Sequence, residues 1–219
     1  MFVKNYNKAA IITGDVEISY EEVIEKIKDY SFALKHNKGE RFAIFFENRP
    51  EWIYSFFAGW NIGAVNVLID AMSGKDELEY ILKDCSPKTI ITSNKNLDLV
   101  IKTVKSLDYK PEIINVDTYS FSKRENDVEE YQATPDETVL LLYTSGTSGS
   151  SKGVMLTSDN LTTQVRWTND AKRINISDRV IAVLPTHHSW PLISTVLAPL
   201  DCGATIVMQI GRASCRERV

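Results

Sequence analysis

The stretch Tyr143–Thr157, YTSGTSGSSKGVMLT, concentrates chemistry that suits a polyphosphate. Three glycines (Gly146, Gly149 and Gly153), six hydroxyl side chains from Thr144 to Ser151, and the single lysine Lys152 share one short loop. Glycines let backbone N–H groups turn inward and approach an anion closely. Hydroxyls add uncharged donors, and a lysine brings a mobile point charge to phosphate oxygens. A hydrogen bond to a charged group contributes roughly 1.5–3 kcal/mol, so four or five of them would hold a triphosphate firmly. Two other readings compete. A flexible Gly/Ser linker has a similar composition, but such linkers rarely sit between apolar strand-like runs such as Val139–Leu142 and Val154–Leu156. A Walker-type loop, G-x-x-x-x-G-K-[ST], needs glycine before its lysine and Ser or Thr after it; Ser151 and Gly153 stand there instead. The Walker loop also feeds a helix whose N-terminus faces the phosphate. Here Gly153–Thr157 reads as a second strand, and a helix starts only after Ser158-Asp159-Asn160. The device is a strand–loop–strand phosphate grip.

The elements that must position this grip alternate between strand and helix. Ala9–Thr13 and Glu17–Ser19 read as a hairpin around Gly14-Asp15, and Ser19-Tyr20-Glu21-Glu22 fits a capping box that opens a helix to about His36. Arg41–Glu47 contains Phe42-Ala43-Ile44-Phe45-Phe46, apolar on both faces, as a buried parallel strand should be. Pro50 suits the first turn of the next helix, which Gly63 ends. Strands follow at Val65–Ile69, Thr89–Thr92 and Glu112–Val116, with helices at Ser73–Asp84 and Leu97–Leu107 between them. Asp117–Glu137 is polar and aperiodic, a surface connection. Beyond the grip come a helix at Asp159–Arg173, a strand at Arg179–Leu184, a mostly helical His188–Leu200 and a strand at Thr205–Met208. The alternation predicts an α/β fold with mainly parallel sheets flanked by helices.

The chain of 219 residues is 43% hydrophobic and 25% charged, ordinary for a globular protein with a sizeable core. No apolar run reaches the roughly 18 residues of a membrane helix, and the amino-terminal residues lack a signal-peptide core. Cysteines without paired spacing argue against a disulfide framework or a zinc site, and a reducing, cytoplasmic setting is the simplest expectation. The formal charge of −4 gives no reason to expect nucleic acid.

Thr144-Ser145-Gly146-Thr147-Ser148-Gly149-Ser150-Ser151-Lys152-Gly153 closely resembles the phosphate-binding signature of the acyl-adenylate-forming (AMP-binding) enzymes. That superfamily includes acyl-CoA synthetases, adenylation domains of peptide synthetases and luciferases. The commoner family form has Thr at Ser148 and often Pro at Ser151; both changes keep the loop small and polar. Glu47-Asn48-Arg49-Pro50-Glu51-Trp52, with Phe56-Phe57-Ala58 and Gly63-Ala64-Val65, looks like the family's amino-terminal region. Leu184-Pro185-Thr186-His187-His188, with Pro199-Leu200 and Cys202-Gly203-Ala204, looks like its acyl-pocket segment. The resemblance runs from about Ala9 to Gln209.

The resemblance implies the amino-terminal part of the family's large domain, incomplete, within residues 1–209, and no carboxy-terminal small domain. It implies that ATP activates a carboxylic acid to an acyl-adenylate, which coenzyme A or a carrier-protein pantetheine then takes as a thioester. Fatty acids are the first expectation, because the 47–52 and 184–188 segments look most like long-chain fatty acid–CoA ligases. An amino-acid-activating domain that loads a carrier protein, or a nucleotide-binding module without ligation chemistry, are the alternatives. Thr144, Ser145, Gly146, Thr147, Ser148 and Gly149 would contact phosphates, and Lys152 would stabilise charge on the β- and γ-phosphates. His188 matches the family histidine near the bound carboxylate, as pocket wall or donor, although Ser189-Trp190-Pro191 replaces the glycine that often follows it. A purely structural histidine is the alternative. The adjacent imidazoles are expected to point apart, and with no third ligand in view they give no metal site. Trp52, Trp60, Trp167 and Trp190 read as packing residues. The resemblance also implies Mg2+, whose glutamate ligand the family carries further downstream, so this stretch as it stands is expected to be inactive. Residues 210–219, IGRASCRERV, break the strand pattern and resemble a sequencing adapter translated as gene. They are set aside as non-native; a genuine basic tail is the other reading. Without that arginine-rich segment the chain is more acidic still.

Overall fold

The computed structural model describes residues 3–34, 38–121, 130–144 and 151–208. The chain opens with β1 (Ala9–Thr13) and β2 (Val16–Ser19), which turn at Gly14 with φ of 57°. Helix α1 (Tyr20–Ala33) starts in the expected capping box: the Glu22 N–H donates to Ser19 Oγ at 3.1 Å, and the Ser19 N–H donates to Glu22 Oε2 at 2.7 Å. β3 (Arg41–Phe45) leads into α2 (Pro50–Asn61), then β4 (Val65–Leu68), α3 (Lys75–Cys85), β5 (Thr89–Thr92), α4 (Asn94–Val104) and β6 (Glu112–Asn115). After the connection come β7 (Thr138–Thr144), β8 (Lys152–Thr157), α5 (Ser158–Lys172) and β9 (Arg179–Ala182). Then α6 (Ser189–Pro191) runs through a π-helical stretch (Leu192–Leu197) into α7 (Ala198–Cys202), ahead of β10 (Thr205–Met208).

Two boundaries depart from the sequence pattern for identifiable reasons. α4 begins at Asn94 instead of Leu97, although Asn-Lys-Asn is a poor helix start. Tertiary bonds compensate: the Asn94 N–H donates to the Asp117 carboxylate at 2.7 Å and Asn96 Nδ2 donates to the Ala71 carbonyl at 2.8 Å. α3 begins at Lys75 because Gly74, extended at ψ of 175°, is its N-cap.

The strands form two sheets. One has the order β2-β1-β10-β9, with β1, β10 and β9 parallel; the other has the order β6-β5-β3-β4-β7-β8, parallel except for the last pair. β3 lies between β4 and β5, which explains why it is apolar on both faces. The larger core joins both sheets through α1, α2, α5, the π-helical stretch and α7. The smaller core covers the other face of the six-stranded sheet with α3 and α4. Trp52 and Trp60 are buried as expected, but Trp167 and Trp190 are 64% and 59% exposed. The latter two line a groove between α5 and α6, where Lys172 Nζ lies 4.8 Å from the Trp190 ring centroid.

Candidate active site

The strands expected to carry the phosphate grip form the antiparallel β7–β8 hairpin. Its last registered pair sets Thr144 opposite Lys152, and the preceding pair sets Tyr143 opposite Gly153. Strand alternation therefore puts Thr144 and Lys152 on one face and Tyr143 on the other. Thr144 and Lys152 are both exposed, and among the described residues nothing pairs with the Lys152 ammonium. A hydroxyl and a lysine thus stand side by side at the mouth of the loop. Ser145, Gly146, Thr147, Ser148 and Gly149 lie outside the described residues. The Cβ of any residue other than glycine at 153 would come within 3.3 Å of the Tyr143 ring, so Gly153 lets that ring lie against β8.

A second feature lies at the carboxyl ends of β3 and β4. The chain leaves β3 toward α2 on one face of the sheet and leaves β4 toward α3 on the other. Such a switch point opens a crevice where α/β proteins bind ligands. Here it is a cleft of about 380 Å³ lined by Phe46, Glu47, Asn48, Asp70, His187 and His188, with Trp52, Met72 and Lys95 among its other walls. Asn48 ties the two sides together. Its Nδ2 donates to the Leu184 carbonyl at 2.7 Å, while its Oδ1 accepts from the Thr186 N–H at 3.0 Å and Thr186 Oγ1 at 2.8 Å. The segments 47–52 and 184–188, far apart in sequence, are thereby one structure. Arg49 supports the rim: its guanidinium donates to Glu51 and to Asp117, each at 2.7 Å. Burial works against the Asp117 charge, but the Asn94 N–H and Arg49 still hold its carboxyl below the usual range.

His187 and His188 differ sharply. His188 is exposed and is the N-cap residue of α6. His187 turns inward, its Nε2 buried, without a hydrogen-bond partner among the described residues and 3.7 Å from Asp70 Oδ2. Burial pushes its pKa down to about 4, against the opposing pull of Asp70, so it is neutral at pH 7. The two rings do not point apart as expected; their centroids are 4.0 Å apart, because both lie in the tight turn that ends at the α6 N-cap. Among the described residues, none from the β7–β8 hairpin lines this cleft.

The family profile described as "AMP-binding enzyme" matches residues 3–217. The chain belongs to the AMP-binding enzyme family. It is 32% identical over 202 residues to fatty acyl-CoA synthetase A of Dictyostelium discoideum, covering 81% of this chain and 30% of that protein. It is 28% identical over 217 residues to 4-coumarate–CoA ligase 2 of Nicotiana tabacum, covering 94% of this chain and 39% of that protein. The anthranilate CoA ligase AuaEII, solved in complex with anthranoyl-AMP, superposes with a TM-score of 0.85 at 26% identity, over 92% of this chain and 40% of that one. The chain thus spans 30–40% of the length of these three relatives, and its two sheets match those of an adenylate-forming enzyme's amino-terminal region.

In this member of the family, sequence reasoning singled out Thr144 and Lys152, which the register sets opposite each other, and did not single out Asp70, the burial of His187 or the tie made by Asn48. Both tied segments had been singled out; only topology shows that they meet. Among the described residues, no helix is long and apolar enough to cross a membrane, and no group of three acidic, His or Cys side chains is placed to hold a metal ion.

Proposed function

We propose that the protein carrying this chain is an acid–thiol ligase: it activates a carboxylic acid with ATP to an acyl-adenylate and passes the acyl group to coenzyme A. The observation that carries this reading is the hairpin, whose Thr144 and Lys152 face each other at the ends of a glycine- and hydroxyl-rich loop. ATP supplies the adenylyl group and the pyrophosphate leaving group. The chain's own contribution is positioning and charge. Lys152, unpaired among the described residues, neutralises phosphate oxygens, and the Thr144 hydroxyl donates beside it. Ser145, Gly146, Thr147, Ser148 and Gly149 complete the grip on this reading. The described residues provide the phosphate side but no carboxylate cluster for Mg2+, so no residue here is assigned to it. The cleft at the ends of β3 and β4 receives the acid, with His188 at its wall and neutral His187 beneath.

Fatty acids are the preferred substrates, supported by the 32% identity to a fatty acyl-CoA synthetase. Aryl acids are the second reading, favoured by the likeness to the 4-coumarate and anthranilate ligases. We place the protein in the cytoplasm, consistent with the free thiols of Cys85 and Cys202. The test is acid-dependent ATP–pyrophosphate exchange by the full-length protein with long-chain, aryl and amino acids, followed by thioester formation with coenzyme A. Lys152→Ala should slow exchange by about 10–1000-fold, the scale of losing one preorganised charge-stabilising group. Unchanged exchange in that variant would remove Lys152 from the mechanism. ATP binding with no exchange for any acid would leave a nucleotide-binding module.

A further inference from the structure

β8 is the edge strand of its sheet, and its outer residues are poorly covered: Val154 and Met155 are 41% and 69% exposed. Packing alone is therefore a weak hold on the hairpin that carries the loop. Two hydrogen bonds from one helix supply what packing does not. On the strand entering the loop, Tyr143 Oη donates to Asp84 Oδ2 at 2.6 Å. At the residue leaving it, the Ser151 carbonyl accepts from Tyr80 Oη at 2.8 Å. Tyr80 and Asp84 are four residues apart on α3, hence one above the other on the same helix face, about 6 Å apart along the axis. α3 is itself fixed to the sheet by the buried Leu78, Ile81, Leu82 and Cys85, which pack with Leu141 and Tyr143 in the smaller core.

We propose that Tyr80 and Asp84 are positioning residues for the phosphate grip: a two-point clasp from α3 that fixes both ends of the loop and so sets where Thr144 and Lys152 stand. The clasp rests on the reading of the hairpin as an ATP site. It acts on the face opposite Thr144 and Lys152, so it holds the loop without occupying the side that meets phosphate. Gly153 is part of the same device, because a Cβ there would press at 3.3 Å on the Tyr143 ring whose hydroxyl reaches Asp84. Neither Tyr80 nor Asp84 touches substrate; each acts through the backbone or side chain of the hairpin.

The experiment is calorimetric ATP binding to the full-length protein, together with acid-dependent pyrophosphate exchange, for Tyr80→Phe, Tyr143→Phe, Asp84→Ala and Asp84→Asn. The Phe variants keep volume and remove only a hydroxyl, so folding is retained and is checked by thermal melting. The expected result is an ATP dissociation constant raised about 5–20-fold in Tyr80→Phe, Tyr143→Phe and Asp84→Ala, as for loss of a hydrogen bond to a neutral or charged acceptor. The KM for the acid should move less than twofold in the same proteins. Asp84→Asn, which keeps an acceptor oxygen, should restore most of the ATP affinity lost in Asp84→Ala. Tyr143→Phe combined with Asp84→Ala should be no weaker than either alone, since both remove one bond. Lowered melting temperatures with unchanged ATP affinity would overturn the clasp and leave the bonds merely structural, as would equal rises in both KM values. Wild-type protein that binds ATP yet exchanges no pyrophosphate would defeat the ligase reading but leave the clasp to be judged by affinity. Wild-type protein that binds no ATP would sink both.

Discussion

At the residue scale, the instructive pair is His187 and His188. The family resemblance directs attention to His188, and in the structure that residue stands exposed on the cleft wall. Its neighbour is the one with a perturbed environment: a side chain only 12% exposed, an Nε2 without a hydrogen-bond partner among the described residues, and Asp70 Oδ2 at 3.7 Å. Burial favours the neutral ring, so the unfolded chain takes up this proton at a higher pH than the folded one. The folded state accordingly loses stability as pH falls from about 6.5, the ordinary histidine value, toward the depressed value near 4. Histidine NMR of the protein, with His187→Gln for assignment, should show one imidazole that stays neutral until near pH 4; a midpoint near 6.5 would show that the ring is solvated. That Lys152 and Thr144 flank one loop on paired strands was legible in the sequence, because the apolar runs on either side of it mark the two strands. His187 was not, because which of two adjacent imidazoles is buried depends on the Asp70 loop, which belongs to another part of the chain.

At the scale of elements, most strands and helices were readable from period and punctuation, and the strand–loop–strand form of the grip was among them. The partners were not. Nothing in the local pattern of β3 says that β4 and β5 flank it, or that the loops after β3 and β4 diverge to make a cleft. The contact between α2 and β4 shows how close such pairings are. Gly59 faces Asn66, whose Oδ1 would lie only 2.3 Å from a Cβ at position 59, and Asn66 Nδ2 donates to the Phe56 carbonyl at 3.1 Å. Gly59→Ala would ordinarily favour a helix, yet here the methyl must displace a fully buried amide. We expect a net loss of about 1–3 kcal/mol, the scale of core overpacking, read as a lower denaturation midpoint. A neutral or stabilising effect would mean that Asn66 can move aside freely.

At the scale of the whole molecule, apolar side chains remain at the surface along both sheet edges. Ile181 on edge strand β9 is 63% exposed, and Met155 on edge strand β8 is 69% exposed; Val183, Leu184, Trp167 and Trp190 add to them. Open apolar edges invite strand pairing between molecules. Purified alone, the chain should therefore self-associate as concentration rises in size-exclusion chromatography with light scattering, and Ile181→Lys should reduce that association. A monodisperse chain that melts cooperatively would argue that these edges are adequately protected. The sheet order carries one more consequence, for synthesis. Ile11 pairs with Ile206, so the first strand described pairs with the last one described. At about 5–20 residues per second, translation separates the two by something like 10–40 s. During that interval the six-stranded sheet, whose strands lie between Arg41 and Thr157, has all its members in hand. The amino-terminal hairpin does not, so on the ribosome the six-stranded sheet can form before β1 meets its parallel partner β10.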